Sequence, residues 1–311
     1  MDRQQKPAQA GPSPSPDRGL GSLLDQALAH HRAGRLAEAE RLYRQILARE
    51  PRQGDALHLL GMLAGQAGRH DAAAELIHRA IDVNGRQPYY HLHLGLTARN
   101  LGRLDEAEAS YRRALDLKAD FVEAHHGLAM ALQGLGRQAE AVASYDRALA
   151  LNPAPPETFV RRGSALMGLG KPDDAVASYD RALALHPDFP EAHAYRATAL
   201  HVCGRLDEAL VAYDRALHLN PSLAPAHSDR GIILLGRARP EEALASFERA
   251  IALMPELAEA HNNRGSALHE LGRYEEAIAS FDRAIALRPG FVEAYCGRGN
   301  VHHVRGNHDA A

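Results

Sequence analysis

Five histidines recur at one register of the chain, and histidine is a frequent ligand of transition metals. Their spacing is 34 residues or a multiple of it, at His91, His125, His193, His227 and His261. A zinc site needs three or four ligands that converge on one ion, whereas this spacing puts each histidine on a separate structural repeat. Phe159 and Tyr295 occupy the same register. We therefore interpret these histidines as planar rings at a packing position and expect no metal site.

Other reactive groups also lack the arrangement that catalysis needs. His302, His303 and His308 are close in sequence, but they fall at the end of one predicted helix and the start of the next. The Gly-Leu-Gly segments at 134–136 and 168–170 lie at helix ends, without the strand-loop-helix context of a phosphate loop. No serine, histidine and aspartate lie in a recognisable nucleophile motif. The sequence predicts neither an enzyme nor a bound cofactor.

A 34-residue repeat without insertion or deletion organises these residues. Repeats begin at residues 20, 54, 88, 122, 156, 190, 224 and 258, and a partial ninth repeat covers 292–311. We number them repeats 1 to 9 and give each residue a repeat position, counted from the start of its repeat. A period of this length indicates stacked supersecondary units. Each unit buries its apolar face against its neighbours.

Each repeat contains two predicted helices, over about positions 2–14 and 18–31. Glycine at position 15, such as Gly102, ends the first helix because glycine adopts the left-handed conformation readily. Ala238 alone departs from it, and Gly306 predicts the same turn in repeat 9. The second helix has alanine at positions 20 and 27 and an aromatic residue at position 24. These small residues let helices approach closely, and we expect the aromatic ring to fill the wedge between repeats. Proline at position 32 stops the helix.

The pattern resembles the tetratricopeptide repeat family over residues 20–311. The resemblance implies an all-α fold, a right-handed α-solenoid (superhelix) of 34-residue helix-turn-helix units. The first helices would line a concave groove and the second helices the convex face. Departures are local: Gly85 and Ala119 replace the terminal proline, and alanine replaces the glycine of position 8 in three repeats. We expect one quasi-linear array that binds other proteins.

Composition narrows the possible partners and the location. Lys plus Arg is 36 and Asp plus Glu is 39, a balance that argues against binding of nucleic acid or an anionic membrane. Residues 1–19 are rich in Pro, Gln, Ser and Gly and lack the apolar segment of a signal peptide, so we predict a disordered leader. No stretch is apolar enough to span a membrane. Cys203 and Cys296 lie in different repeats, which predicts no disulfide framework. We expect a cytoplasmic protein.

The groove can be predicted from repeat positions 2, 5, 6, 9, 12 and 13, which should face inward. The first half of the array is apolar there, and the second half is polar and small. The predicted partner groove includes His58, Leu59, Met62, Leu92, His93, Leu96, His126, Met130, Arg161, Ser164, Asn262 and Asn263. Methionine suits adaptable apolar contact, so the first half could hold a helix or an extended peptide. Alternatively, some of these leucines and methionines are ordinary packing between repeats.

Two functional hypotheses remain open. The favoured one is a scaffold that captures a protein segment in the groove. The alternative is the substrate-recruiting arm of a larger O-GlcNAc-type glycosyltransferase whose catalytic domain lies beyond residue 311, because the repeat text resembles that of bacterial transferases of this type. The asparagine ladder of that family at position 6 is reduced to Asn263, and the lysine of chaperone-binding domains is absent from position 5.

Covariation inside the chain predicts ion pairs between repeats. Arginine occupies position 7 in repeats 5 to 9, and each time an acidic residue stands at position 25 of the preceding repeat. Where leucine occupies position 7, the preceding position 25 is basic. The predicted pairs are Asp146–Arg162, Asp180–Arg196, Asp214–Arg230, Glu248–Arg264 and Asp282–Arg298. Duplication of a recent repeat without any contact is the alternative explanation.

The partial ninth repeat predicts an unfinished array. Asp309, Ala310 and Ala311 match positions 18 to 20, the opening of a second helix. Terminal repeats need a polar cap, because an uncapped repeat leaves its stacking face in water. We expect residue 311 to be a truncation point of a longer protein. The alternative is that this last helix is the natural cap and that its exposed face gives end-to-end self-association.

Overall fold

Helices make up all the regular structure in the part of the chain that the structure describes. The computed structural model describes residues 16–153 and 155–309, which contain 17 α-helices and no strand. The chain divides into two compact units, an N-terminal unit of Met1–Leu151 and a C-terminal unit of Asn152–Ala311. The sequence predicted a single array, and the division falls where repeat 4 ends, next to Pro153, Pro155 and Pro156.

Consecutive helices pair within each repeat. In the N-terminal unit they are α1 (Pro16–Arg32), α2 (Leu36–Arg49), α3 (Gly54–Gln66), α4 (His70–Val83), α5 (Pro88–Asn100), α6 (Leu104–Leu117), α7 (Val122–Gly134) and α8 (Gln138–Leu151). In the C-terminal unit they are α9 (Pro156–Gly168), α10 (Pro172–Leu185), α11 (Pro190–Val202), α12 (Leu206–Leu219), α13 (Ala224–Gly236), α14 (Pro240–Leu253), α15 (Ala258–Glu270), α16 (Tyr274–Leu287) and α17 (Val292–Asp309). Each unit is a stretch of all-α solenoid, as predicted.

Helix boundaries follow the repeat closely. From repeat 2 to repeat 8 the first helix covers positions 1–13 and the second covers 17–30, one residue earlier than predicted at each end. The first helix of repeat 1 begins at Pro16, four residues before the repeat frame. The predicted leader therefore overlaps a helix at 16–19, and residues 1–15 lie outside the described residues.

The turn between paired helices uses the left-handed conformation. Seven glycines at position 15 have φ between 67° and 77°, and Ala238 keeps a positive φ of 54°. The prediction was wrong at Gly306, because α17 runs through it to Asp309. In the other repeats the residues after the glycine form a helix that packs back on the first. Glycine is tolerated within a helix at a modest cost in free energy, and helical backbone continues through this position.

Position 24 forms the core of the array. Its aromatic residues are at most 2 % exposed, at Tyr43, Tyr111, Tyr145, Tyr179, Tyr213, Phe247 and Phe281. Glycine at position 8 allows this close packing: a Cβ on Gly95 would lie 2.8 Å from the Tyr111 ring. Ile77 stands at position 24 of repeat 2 and is the exception among repeats 1 to 8. The expected aromatic wedge is thus present in seven of these eight repeats.

Four of the five predicted ion pairs lie within the C-terminal unit, and all four form. Arg196 Nε is 2.6 Å from Asp180 Oδ1, and Arg230 Nε is 2.7 Å from Asp214 Oδ1. The other two are Glu248–Arg264 at 3.3 Å and Asp282–Arg298 at 2.5 Å. Each pair joins the second helix of one repeat to the first helix of the next. Asp146 and Arg162 belong to different units, so their pairing remains a prediction.

Candidate functional site

The histidines at position 4 serve the connections between repeats. Each directs its Nε2 at the backbone carbonyl six residues earlier, in the turn that ends the preceding repeat. The distances are 3.0 Å for His91–Gly85, 3.0 Å for His125–Ala119, 2.9 Å for His193–Pro187, 3.1 Å for His227–Pro221 and 2.9 Å for His261–Pro255. These rings therefore pack between repeats and also donate hydrogen bonds to the turns. The sequence shows the constant register of these rings, and the structure adds their acceptors.

A continuous strip of side chains crosses the first helices of the N-terminal unit. Contacts within hydrogen-bond distance join each helix to the next: His31 Nε2 to Gln66 Oε1 at 3.2 Å, His58 Nε2 to His93 Nδ1 at 2.7 Å, and Arg99 Nη1 to Met130 Sδ at 3.2 Å. They link α1 to α3, α3 to α5, and α5 to α7. We call the surface formed by Met62, His93, Leu96, Arg99 and Met130 the N-terminal groove face.

His58 is buried behind this face and contacts His93, which belongs to it. His58 is 7 % exposed, so it is not the open groove residue that the sequence predicted. Its ring lies 4.6 Å from the Tyr90 ring, and Tyr90 Oη donates to Asp55 Oδ1 at 2.6 Å. Burial, with the nearby His93 as a smaller cause, lowers the pKa of His58 to about 3. Burial also lowers the pKa of His93, against a backbone hydrogen bond at Tyr89. Both rings are neutral at pH 7, so one donates and the other accepts.

Arg99 brings a cation to an otherwise apolar part of the groove face. Its guanidinium contacts Met130 Sδ, and its charge partly offsets the burial that raises the pKa of Tyr111 to about 12. Its Nε is buried and has no hydrogen-bond partner among the described residues. Burying an unpaired donor costs free energy, and the hydrogen-bonding capacity of this Nε is left unused by the described residues.

A cavity of about 290 Å³ opens between α3 and α5 on the same face. Met62 and Leu96 form apolar walls, and Ile77 from α4 also borders it. Polar groups come from His93 and from His70, whose Nδ1 is buried without a hydrogen-bond partner among the described residues. Leu96 is 41 % exposed. The cavity therefore combines an apolar lining with polar atoms that can bond to a guest.

Some of the remaining predicted residues of the N-terminal half pack between repeats, and others lie at the surface. Leu59 packs against the core of repeat 1, and Leu92 packs against the cluster that contains Phe121, so both belong largely to packing between repeats. The half-buried His126 meets the Tyr145 ring edge-on, with 5.6 Å between centroids. Met62, His93, Leu96 and Met130 are the predicted groove residues that lie together at the surface.

The predicted residues of the C-terminal unit form two separate groups. Arg161 and Ser164 are exposed on α9, whereas Asn262 and Asn263 are half-buried on α15. Asn262 Nδ2 donates to Asn263 Oδ1 at 3.2 Å, and Asn262 Oδ1 is buried without a partner among the described residues. These side chains offer polar contacts on the first helices of that unit.

Sequence reasoning missed the apolar residues on the first helices of the C-terminal unit. Tyr195, Val202 and Ile232 are exposed at positions 6, 13 and 9. Tyr195 stacks on the buried Tyr179, with 6.1 Å between centroids. This face had been interpreted as polar and small, although the same position rule places these three residues on it. The signal was present at positions 6, 9 and 13 of repeats 6 and 7.

Residues 16–153 and 155–309 contain neither a metal-binding cluster nor a membrane-spanning helix. No group of three or more His, Cys, Asp or Glu side chains there could hold a metal ion. None of the described helices combines the length and the apolar run that a bilayer-spanning segment requires.

Comparisons with known proteins agree with the repeat architecture. The family model for the tetratricopeptide repeat matches residues 24–91, 58–120, 92–156, 160–224, 228–290 and 271–311. The structure of YrrB, "a TPR protein with an unusual peptide-binding site", is 25 % identical over 60 % of this chain and 96 % of its own, with a TM-score of 0.52. Comparison with curated proteins gave no match.

Two further solved structures are similar in fold alone. A tetratricopeptide repeat protein from Parabacteroides merdae ATCC 43184 is 18 % identical, covers 92 % of this chain and 99 % of its own, and has a TM-score of 0.52. A chain of the APC/C hetero-tetramer Cut9–Hcn1 is 17 % identical, with a TM-score of 0.61, and the match covers 90 % of this chain and 55 % of that one.

Proposed function

The chain belongs to the tetratricopeptide repeat family, and we propose that its N-terminal groove face captures an extended segment of a partner protein. One observation carries the proposal. Accessible apolar side chains lie on this face beside polar atoms that have no hydrogen-bond partner among the described residues. Leu96 and Met62 offer apolar contact, and Arg99 Nε and His70 Nδ1 are buried without hydrogen-bond partners among the described residues.

Extended peptide chemistry matches these groups. A peptide in extended conformation presents backbone carbonyls along its length and side chains to alternate sides. A carbonyl or carboxylate oxygen would accept from the Arg99 guanidinium, and apolar side chains would pack on Leu96 and Met130. Methionine adapts its shape to different guests. Because His58 and His93 are neutral and joined to each other, they add no charge to the face beside that of Arg99.

The similarity to YrrB also supports capture of a peptide, since that protein is described as having a peptide-binding site. A recruiting arm of a larger glycosyltransferase would bind its protein substrate through the same kind of groove. The chemistry proposed for the groove face therefore applies to the scaffold and to this alternative.

Selection from a random peptide library against the full chain tests the proposal. Peptides that bind should lose about tenfold or more in affinity when Leu96→Glu puts a charge among the apolar contacts. A matched control is Ile232→Glu, because Ile232 also occupies position 9 and is also 41 % exposed, but it lies in the C-terminal unit. Val211→Glu is the control on a second helix, where Val211 is 70 % exposed.

The expected pattern is a selective loss with Leu96→Glu and unchanged affinity with both controls. Equal affinity for the wild type and Leu96→Glu would overturn the assignment to the N-terminal groove face. So would a loss confined to Val211→Glu, which would place the peptide on the second helices instead.

A further inference from the structure

The cavity beside Ile77 exists because repeat 2 lacks an aromatic wedge. In the rest of the N-terminal unit the wedge is a tyrosine whose hydroxyl lies near the residue at position 12 of its own repeat. Tyr43 pairs with His31 at 3.2 Å and Tyr145 with Gln133 at 3.1 Å, and Tyr111 lies close to the charge of Arg99. In repeat 2, position 24 is Ile77 and position 12 is Gly65. Both the ring and its hydrogen-bond partner are missing from the same repeat.

Gly65 has no packing reason to be a glycine. A Cβ built on it would meet Ala73 Cβ at 3.8 Å, an ordinary contact, and nothing closer. A glycine inside a helix is destabilising relative to alanine, and glycine is the residue that lets a ligand approach the backbone closely. Gly65 lines the cavity with Ile77. The two small residues therefore keep the space open together.

The size and chemistry of the space fit a phenol ring. Its volume of about 290 Å³ exceeds the ~150 Å³ of an engineered apolar cavity that binds benzene. Met62 and Leu96 supply apolar walls. His70 Nδ1 supplies a buried nitrogen without a partner among the described residues. A phenol hydroxyl can donate to that nitrogen or accept from it, so either tautomer of His70 would be satisfied.

The geometry points to the tyrosine side chain of a partner segment as the occupant of this cavity. A partner tyrosine would take the place that the array's own tyrosines take in repeats 1, 3 and 4. This inference rests on the proposed function, because it names the side chain that anchors the captured segment. Tyrosine is favoured over phenylalanine because the equivalent rings of this unit bond through their hydroxyl groups and because His70 Nδ1 lacks a partner.

The test uses p-cresol, the side-chain analogue of tyrosine, with the full-length chain. Methyl NMR of methionine-labelled protein reports on Met62, which lines the cavity, and on Met254, which does not. We expect p-cresol to shift the Met62 methyl signal with a Kd on the order of 1 mM. Toluene, the phenylalanine analogue, should bind about tenfold more weakly, because it leaves His70 Nδ1 unpaired.

Ile77→Tyr is the decisive variant, because it fills the cavity from within. The new ring should pack on Gly61 as Tyr111 packs on Gly95, since a Cβ on either glycine would lie 2.8 Å from its neighbour. The variant should keep its helical circular dichroism, melt at or above the wild-type temperature and lose p-cresol binding. Gly65→Ala adds a single methyl group at the cavity wall and should weaken p-cresol binding by a smaller factor.

Two results would overturn the inference. One is an unshifted Met62 signal in the wild type up to saturation with p-cresol, and the other is equal binding by folded Ile77→Tyr. Toluene binding as tight as p-cresol would overturn the choice of tyrosine. These outcomes are separate from a failure of the proposed function, because no peptide takes part. Peptides sensitive to Leu96→Glu but indifferent to Ile77→Tyr would leave groove capture standing and remove the tyrosine anchor.

Discussion

Arg230 donates through Nη1 to Ser246 Oγ at 2.8 Å, and Ser246 lies sixteen residues further along the chain. The same guanidinium donates through Nε to Asp214, sixteen residues earlier. Arg230 therefore ties α12, α13 and α14 together. Ser246 is only 3 % exposed and donates its own proton to the Glu242 carbonyl at 3.0 Å. Arg264 makes the equivalent bond to Ser280 at 2.6 Å.

This arrangement predicts unequal effects from the two ends of one ion pair. Asp214→Ala removes an exposed pair, which contributes ~0–1 kcal/mol. Arg230→Ala removes the pair and also the donor to a buried serine, which adds about 0.5–1.5 kcal/mol. Hydrogen-exchange protection of the α13 and α14 amides should therefore fall further in Arg230→Ala than in Asp214→Ala.

Repeat 6 provides the control for this difference. Arg196 pairs with Asp180 in the same geometry, but its own repeat has Ala212 where repeat 7 has Ser246. Arg196→Ala and Asp180→Ala should have nearly equal effects on exchange in α11 and α12. An arginine-to-alanine penalty as large in repeat 6 as in repeat 7 would contradict the role assigned to the serine.

The left-handed backbone conformation of Ala238 predicts that glycine would stabilise this position. Its φ of 54° lies in the left-handed region, and the seven glycines with positive φ stand at the same repeat position. The left-handed conformation costs about 1–2 kcal/mol for a residue with a Cβ. The greater freedom of glycine in the unfolded chain offsets about 0.4–1 kcal/mol of that. Ala238→Gly should therefore stabilise the C-terminal unit by up to about 1.5 kcal/mol in urea denaturation.

The opposite change serves as its control. Gly204 has φ of 74° at the same position of repeat 6, so Gly204→Ala should destabilise the same unit. If Ala238→Gly lowers stability, the positive φ of Ala238 is not a source of strain.

His58 makes the N-terminal unit sensitive to acid. Its pKa is about 3 in the folded chain, against an ordinary value of 6.5. Below pH 6.5 the unfolded chain takes up a proton that the folded chain excludes, so stability falls as the pH drops from about 7 towards 3. Between pH 7 and pH 5 this site alone should cost about 2 kcal/mol. The lowered pKa of His93 acts in the same direction.

Comparison with His58→Gln isolates this contribution, because glutamine can hydrogen-bond to His93 but does not titrate. Urea denaturation at pH 7 and pH 5 should show a loss about 2 kcal/mol smaller in the variant than in the wild type. If both proteins lose the same free energy of unfolding between pH 7 and pH 5, groups other than His58 cause the loss.

The fold could be predicted from the sequence because each repeat restates the same local signals. With these signals the predicted boundaries of both helices in repeats 2 to 8 were correct to within one residue. The ion pairs of repeats 6 to 9 followed from one correlation between positions 7 and 25, because two charges that covary across a constant interval share a contact. Gly306 departed from this pattern, because α17 continues through it to Asp309.

The candidate site was harder to predict, because it arises where smaller residues replace the usual aromatic ring and its neighbour. Leu96 and Met62 were identified by position, but the cavity between them depends on Ile77 and Gly65, which depart from the pattern together. The burial of His58 depends on Tyr90 and His93 in the next repeat. Such contacts between repeats cannot be derived from positional averages.

The methionine methyl groups allow the most direct test of the central claim. The chain has five methionines; Met62 and Met130 lie on the N-terminal groove face, Met167 lies on α9, and Met254 lies in the turn after α14. Titration of methyl-labelled protein with a selected peptide should shift the Met62 and Met130 signals and leave Met254 unchanged. Shifts at Met254 or Met167, with Met62 and Met130 unaffected, would contradict capture by the N-terminal groove face.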